Sequence, residues 1–157
     1  QLSIYWDELE KIDENSYCNN PIVDSVLRIK FGVAKSDKIK IDTTIRIPKQ
    51  MQLEHGDIGV LYGNLLDNAI EACRKVEEDR RFIQIENKFT EGKLLLIVED
   101  SKTGERNESL KTTKKDNYSH GRGIHSVLKV VEKYNGTVDK GEIFEVSAML
   151  YGIEAKE

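Results

Sequence analysis

Apolar positions recur along this chain with two periods, one near 3.6 and one near 2, and the switches between them outline an ordered series of helices and strands. Leu2 to Asn15 reads as a short charged helix, followed by the turn-like Asn19-Asn20-Pro21. Ile22 to Ala34 reads as a second helix with Ile22, Val26, Ile29 and Val33 as its apolar row and Pro21 in a first-turn position. Ile39, Ile41, Ile45 and Ile47 predict a strand ended by Pro48. From Ile58 the helical period returns through Leu61, Leu65, Ala69, Ala72, Cys73 and Val76. Strands follow at Arg81 to Phe89 and Lys93 to Asp100, joined at Glu91-Gly92. After a polar segment, Ile124, Val127, Leu128, Val131 and Tyr134 make an amphipathic helix ending at Asn135-Gly136. Thr137 to Asp139 and Ile143 to Tyr151 then close a second hairpin. Helices segregated from a mainly antiparallel mixed sheet predict an α+β fold, a two-layer sandwich with about three helices on the sheet.

Composition narrows the class without changing that outline. The chain has 157 residues, 33% charged and 38% hydrophobic, which suits one globular unit with a sizeable core. No internal repeat is visible, and the one candidate boundary lies near Ser16. A net charge of -4 leaves no basic footprint, so no nucleic-acid partner is expected. No stretch has the apolar length of a membrane span or signal sequence, so any membrane-spanning segment is expected outside this stretch of chain. The absence of an initiator Met before Gln1 suggests a fragment. Cys18 and Cys73 are too few for a disulfide scaffold or a zinc site, and Cys73 falls on the apolar stripe of its helix.

Candidate chemistry concentrates in two polar blocks. On the helix after Ile58, Asn64, Asn68, Glu71 and Lys75 form a second row beside the apolar stripe, at its edge, while Asp67 falls on the far, solvated side. Two carboxamides one turn apart can bind a hydrated magnesium ion and phosphate oxygens. Taken alone, such a pair is more often a surface feature bonded to a neighbouring loop. The second block is His120-Gly121-Arg122-Gly123-Ile124, where glycines at a helix start let backbone N–H groups approach an anion. It follows Ser101 to Ser119, a long polar segment of the kind that forms functional lids or disordered links, with Lys114 and Lys115 able to close on phosphates or simply to keep the segment soluble. Between the blocks, strand alternation puts Leu94, Leu96, Val98 and Asp100 on one face, so Asp100 ends an inward row. There it can accept a hydrogen bond from an exocyclic amine, or begin a turn.

The ordered set resembles the GHKL ATPase superfamily, specifically the ATP-binding catalytic domain of bacterial sensor histidine kinases. Gly63-Asn64-Leu65-Leu66-Asp67-Asn68-Ala69-Ile70-Glu71-Ala72-Cys73 is similar to its N box, Asp100 to Gly104 to its D-x-G-x-G box, Lys111 to His120 to its ATP lid, and Gly121-Arg122-Gly123-Ile124 to its second glycine box. The N-box wording, Asn20-Pro21-Ile22-Val23-Asp24 and the Thr113 to Gly121 stretch resemble the peptide-pheromone, quorum-sensing branch most. The likeness runs from about Pro21 to Leu150. It implies a GHKL (Bergerat) fold over residues 17–157, with residues 1–16 as the tail of a dimerisation hairpin or a linker.

The resemblance further implies ATP and Mg as cofactors. Asn68 would coordinate magnesium, with Asn64 assisting as the second catalytic-site amide. Asp100 would bind the adenine amine and Gly104 would shape the adenine end of the lid. Gly121 and Gly123 would offer N–H groups to phosphates, with Lys114, Lys115 and Arg122 as nearby cations. Hydrolytic relatives carry a glutamate where this chain has Asn64. A neutral amide is a poor general base, which favours phosphoryl transfer to a histidine over hydrolysis. The implied partners are a histidine-bearing dimerisation domain of the same kinase and a response regulator, in a membrane-anchored homodimer whose catalytic part is cytoplasmic.

The chain departs from the family pattern at Lys102, in place of the first box glycine, at Glu71, in place of a frequent phosphate-contacting lysine, and at Ile143, in place of a small hydroxyl residue. Lys75, on the same row as Glu71, can compensate. These changes support a second reading, a nucleotide-poor module that docks a dimerisation domain or response regulator; a GHKL serine kinase or ATPase is a third. Its three histidines, His55, His120 and His125, all lie outside an upstream hairpin, so the fragment is not expected to autophosphorylate.

Overall fold

The structure, a computed structural model, describes residues 16–101, 123–140 and 145–153. The expected Leu2 to Asn15 helix, Lys102, Gly104, Lys114, Lys115, His120, Gly121, Arg122 and Ile143 lie outside the described residues.

Helix α1 spans Pro21–Ser36. Its start is fixed by Asn20, whose Oδ1 accepts from the N–H groups of Ile22 and Val23 at 3.2 Å each, with Pro21 occupying a position that needs no donor. The face it buries is not the expected one. Val23, Leu27, Phe31 and Ala34 are buried, whereas Ile29 is 66% exposed and Val33 41%. Two apolar rows compete on this helix, and the one carrying the large Phe31 wins, because Phe31 also packs edge-on against Tyr17 at 4.7 Å.

Strand β1 (Lys40–Arg46) leads into α2 (His55–Arg74). A 3-10 turn at Glu78–Arg80 then returns the chain to β2 (Phe82–Thr90), which pairs parallel with β1. Helix α2 is therefore the crossover of a β-α-β unit. Ile58, Leu61, Tyr62, Leu65, Leu66, Ala69, Ile70 and Cys73 are buried along it, a broader stripe than the sequence row. Strands β2 and β3 (Lys93–Asp100) form a hairpin whose two turn residues, Glu91 and Gly92, have φ of 49° and 75°. Positive φ at both positions is the turn that matches strand twist, and Gly92 meets it without steric cost.

Helix α3 occupies residues 123–133. Val127, Val130 and Val131 are buried while Leu128 is 44% exposed, so the core stripe runs through 127, 130/131 and 134 and Leu128 lies on the flank, contrary to expectation. The helix ends with Asn135 at φ 57° and the Gly136 N–H donating back to the Val131 carbonyl at 2.8 Å. Strands β4 (Thr137–Lys140) and β5 (Glu145–Leu150) complete a five-stranded sheet in the order β1-β2-β3-β5-β4, antiparallel except for the β1–β2 seam. Ile83, Ile85, Leu94, Leu96 and Val98 point from the sheet into a core shared with the helices. The architecture is the expected α+β sandwich.

Candidate functional site

Helix α2 carries Asn64 and Asn68 one turn apart, both half-buried at the edge of its core stripe. The first turn of α3 lies over this pair. Asn64 Nδ2 donates to the Gly123 carbonyl at 3.3 Å. A Cβ at Gly123 would stand 3.7 Å from Asn68 Oδ1 and 3.8 Å from Asn64 Cβ. A side chain longer than a methyl at 123 would therefore fill the space in front of both amides. Among the described residues the Asn68 carboxamide makes no hydrogen bond to protein, so its oxygen and amine remain available in the half-buried site.

Asp67, between the two amides in sequence, points elsewhere. It pairs with Lys30 of α1 at 2.8 Å and is 49% exposed, as its helical phase predicts. Lys75 is exposed at the C-cap of α2, where the regular helix has ended after Arg74. Its backbone there is still in the right-handed helical region.

Asp100 closes the inward row of β3 and is 7% exposed. The strand ends around it are tied to the last turn of α2. Ser101 Oγ accepts from the Phe82 N–H at 3.2 Å and lies 3.5 Å from Cys73 Sγ, which itself donates to the Phe82 carbonyl at 3.2 Å. Burial raises the Cys73 thiol above its ordinary pKa, its Ser101 contacts oppose this, and the negative field of nearby Asp100 adds to the rise. A neutral thiol and a serine hydroxyl thus form a polar floor beside the Asp100 carboxylate. Sequence reading missed Ser101, which looks like the first residue of a loop and is 4% exposed.

The structure brings Asn64, Asn68 and Gly123 together and seats Asp100 at the end of the sheet row that α2 covers. It does not draw Lys75 into contact with them. A separate cavity of 690 Å³, lined by residues including Ile22, Met51, Leu53, Ile58 and Tyr134, lies at the N-terminal end of α2. From Ile58 to Asn64 is about 9 Å along the helix axis, so this cavity and the amide pair occupy different levels of α2.

The GHKL-domain family model matches residues 53–146, more than half of the chain and all the elements from α2 to the start of β5. The chain belongs to the GHKL family. Solved structures agree with this GHKL fold. The catalytic domain of histidine kinase ThkA, in a nucleotide-free form, is 16% identical with a TM-score of 0.66, covering 85% of this chain and 91% of that one. Mycobacterial sensor histidine kinase MprB is 15% identical at TM-score 0.58, over 84% and 94% of the two chains. The histidine kinase domain of the blue-light-activated kinase EL346 from Erythrobacter litoralis gives 18% and 0.55, over 83% and 61%. No curated protein sequence matches the chain. At these identities the structural likeness is one of fold.

Proposed function

We propose that this GHKL domain binds Mg-ATP between α2 and α3 and acts as the catalytic domain of a sensor histidine kinase, passing the γ-phosphoryl group to a histidine on a separate dimerisation segment. The observation that carries the reading is the convergence of Asn64 and Asn68 with Gly123 at the start of α3.

The residues fit magnesium of the kind that travels with a nucleotide. Among the described residues no cluster of three or more His, Cys, Asp or Glu side chains could hold a metal alone. A single amide oxygen from Asn68, completed by phosphate oxygens and water, is a typical magnesium environment. When bound, magnesium neutralises charge on the phosphates. Asn64 has one amine hydrogen committed to the Gly123 carbonyl, which would leave its oxygen to accept from a water and its second amine hydrogen to donate to a phosphate oxygen. As a neutral amide it cannot take a proton from water, so the site favours transfer to an incoming imidazole, which brings its own lone pair. Asp100 would take the adenine amine, with Gly104, Lys114, Lys115, Gly121 and Arg122 completing the lid and phosphate side and Lys75 reaching in from the helix end.

Further features support the wider assignment. Tyr17 packs on Phe31 and its N–H donates to Asp24 at 2.7 Å, which supports reading 17–157 as the folded unit, with residues 1–16 as a hairpin tail or linker. No helix of the described residues is long and apolar enough to cross a membrane. The parent would be a membrane-anchored homodimer of the peptide-pheromone branch, with this domain in the cytoplasm and a response regulator as recipient.

One observation favours a second reading. Glu71 is exposed on α2, at the position where the resemblance expects a phosphate-contacting lysine, and a carboxylate there suits a module that docks partners without nucleotide. Calorimetric titration with Mg-ATP separates the two. The kinase reading expects saturable binding that Asn68→Ala and Asp100→Ala each weaken by at least tenfold; no binding by the wild type at millimolar ATP would refute it. Adding a histidine-bearing hairpin and detecting acid-labile phosphate tests the transfer.

A further inference from the structure

Helix α3 delivers Gly123 to the amide pair, yet its other end is held by a polar cluster that plays no part in the site described above. The Tyr134 hydroxyl donates to Asp57 Oδ2 at 2.6 Å and accepts from the Glu54 N–H at 3.3 Å. Lys133 Nζ bridges Asp57 at 2.9 Å and Glu54 at 3.0 Å. Asp57 is the focus of the cluster, with a side chain only 16% exposed against 47% for Lys133 and 73% for Glu54. It also sits in the first turn of α2, where the positive end of the helix favours a carboxylate. The two helices therefore run antiparallel, tied by Asn64 to Gly123 at one end and by Asp57 to Lys133 and Tyr134 at the other, with Val127, Val130 and Val131 buried between.

The Asp57 end is also anchored on the sheet. The Tyr134 carbonyl accepts from the Tyr151 N–H at 3.1 Å, so the same residue is tied to the sheet. Gly136 approaches the Met149 carbonyl so closely that an added Cβ would lie 2.0 Å from it. At the Gly123 end, Asn64 reaches α3 through a neutral amide at 3.3 Å. The far end therefore helps to set where α3 points. A carboxylate gripped by a hydroxyl and an ammonium is a stronger tie than an amide on a carbonyl.

We propose that Asp57, Lys133 and Tyr134 are positioning residues for the phosphate side of the nucleotide site, clamping α3 against α2 so that Gly123 stays over Asn64 and Asn68. The inference rests on the nucleotide reading above and adds to it a control point remote from the chemistry. Releasing the clamp lowers the fraction of molecules with α3 seated, and affinity for a triphosphate falls in proportion. The adenine end is built from β3 and the last turn of α2, so it does not depend on this tie.

The test compares wild type with Asp57→Asn and the milder Tyr134→Phe, titrating each with Mg-ATP and, separately, with adenosine. Backbone hydrogen exchange across 123–133 is followed without nucleotide. The clamp predicts that Asp57→Asn weakens Mg-ATP by about tenfold, the weight of one hydrogen bond to a charged group. Tyr134→Phe has a smaller effect in the same direction, adenosine affinity is unchanged, and exchange quickens in the first turn of α3. Unchanged Mg-ATP affinity in both variants, or an equal loss for ATP and adenosine, overturns it. If the wild type itself binds no ATP, the nucleotide reading fails; the clamp is then decided by exchange, and unaltered protection of residues 123–133 in both variants overturns it.

Discussion

Removing the hydroxyl of Tyr62 gives a measure of what holds the amide-bearing helix in place. Tyr62 is 1% exposed on α2, and its hydroxyl donates to Oδ1 of Asn87, a fully buried asparagine on the inward face of β2, at 2.8 Å. Asn87 Nδ2 in turn donates to the Leu95 carbonyl at 2.8 Å, so the pair forms a polar chain from helix to hairpin. Burial pushes the Tyr62 phenol well above its ordinary pKa, and the proton stays on the donor throughout the usable pH range. Tyr62→Phe keeps the ring and leaves the Asn87 oxygen without its donor in a dry core, a loss of about 2 kcal/mol. For a domain of this size that lowers Tm by about 6 °C. Thermal melting by circular dichroism reads the single variant, Asn87→Leu and the double variant, with Mg-ATP affinity measured alongside. Once the partner oxygen is gone the hydroxyl has little left to satisfy, so the double variant loses less than the sum of the singles. Affinity shifts by less than about threefold, because Tyr62 and the amide row occupy different faces of the helix. A Tm within about 1 °C of wild type for Tyr62→Phe, or strict additivity in the double variant, would refute the account of this pair.

Asp67→Ala and Asn68→Ala, adjacent in sequence, have different consequences: the first removes a half-exposed ion pair to Lys30 worth under about 1 kcal/mol and leaves Mg-ATP binding intact, while the second weakens it by at least about tenfold. Calorimetry checks both. Gly136→Ala drives a methyl into the Met149 carbonyl and against Val131, and lowers stability by about 3 kcal/mol or more in urea denaturation, whereas Gly32→Ala, with open space at its Cβ, does not. Burial opposes ionisation of Asp57, but hydrogen bonds from Tyr134 and Lys133 outweigh it and hold the folded-state pKa below that of the unfolded chain. Its stabilisation is therefore complete above about pH 4 and is lost as pH falls through the lowered folded value, so the Tm gap between wild type and Asp57→Asn narrows below about pH 4. A gap that is constant from pH 7 to pH 2.5 contradicts this. Burial raises both Cys18 and Cys73 thiols, so iodoacetamide at neutral pH labels neither quickly in the folded protein and both in urea, as read by mass spectrometry.

Features set by local spacing were legible in the chain before any coordinates. The phase that separates Asn64 and Asn68 from Asp67 is a property of the helix alone, and so is the inward position of Asp100 on its strand. The Glu91-Gly92 turn needs only two residues to declare itself. What could not be read are choices made by distant partners. Helix α1 offers two apolar rows of similar strength, and only packing against Tyr17 and the sheet selects Val23, Leu27, Phe31 and Ala34 over Ile29 and Val33. Val130 displaces Leu128 from the core of α3 for the same kind of reason. Asn87 reads as an interruption of a strand until Tyr62, on another element, supplies its donor. Asp57 and Tyr134 are 77 residues apart, and nothing in either neighbourhood announces the pairing.

The one parallel seam of the sheet has a consequence for how the protein comes into being. Strands β1 and β2 align Lys40 with Phe82 through Arg46 with Lys88, so every rung joins residues 42 apart and the intervening chain must wrap back as α2. Pairing at such separation costs loop entropy before the ladder gains anything, so the seam and the helix it encloses form together. A nascent chain released before Phe82 would hold Asn64 and Asn68 on a helix with no second strand to return to. Seating the amide-bearing helix and closing the parallel seam are, on this topology, one event.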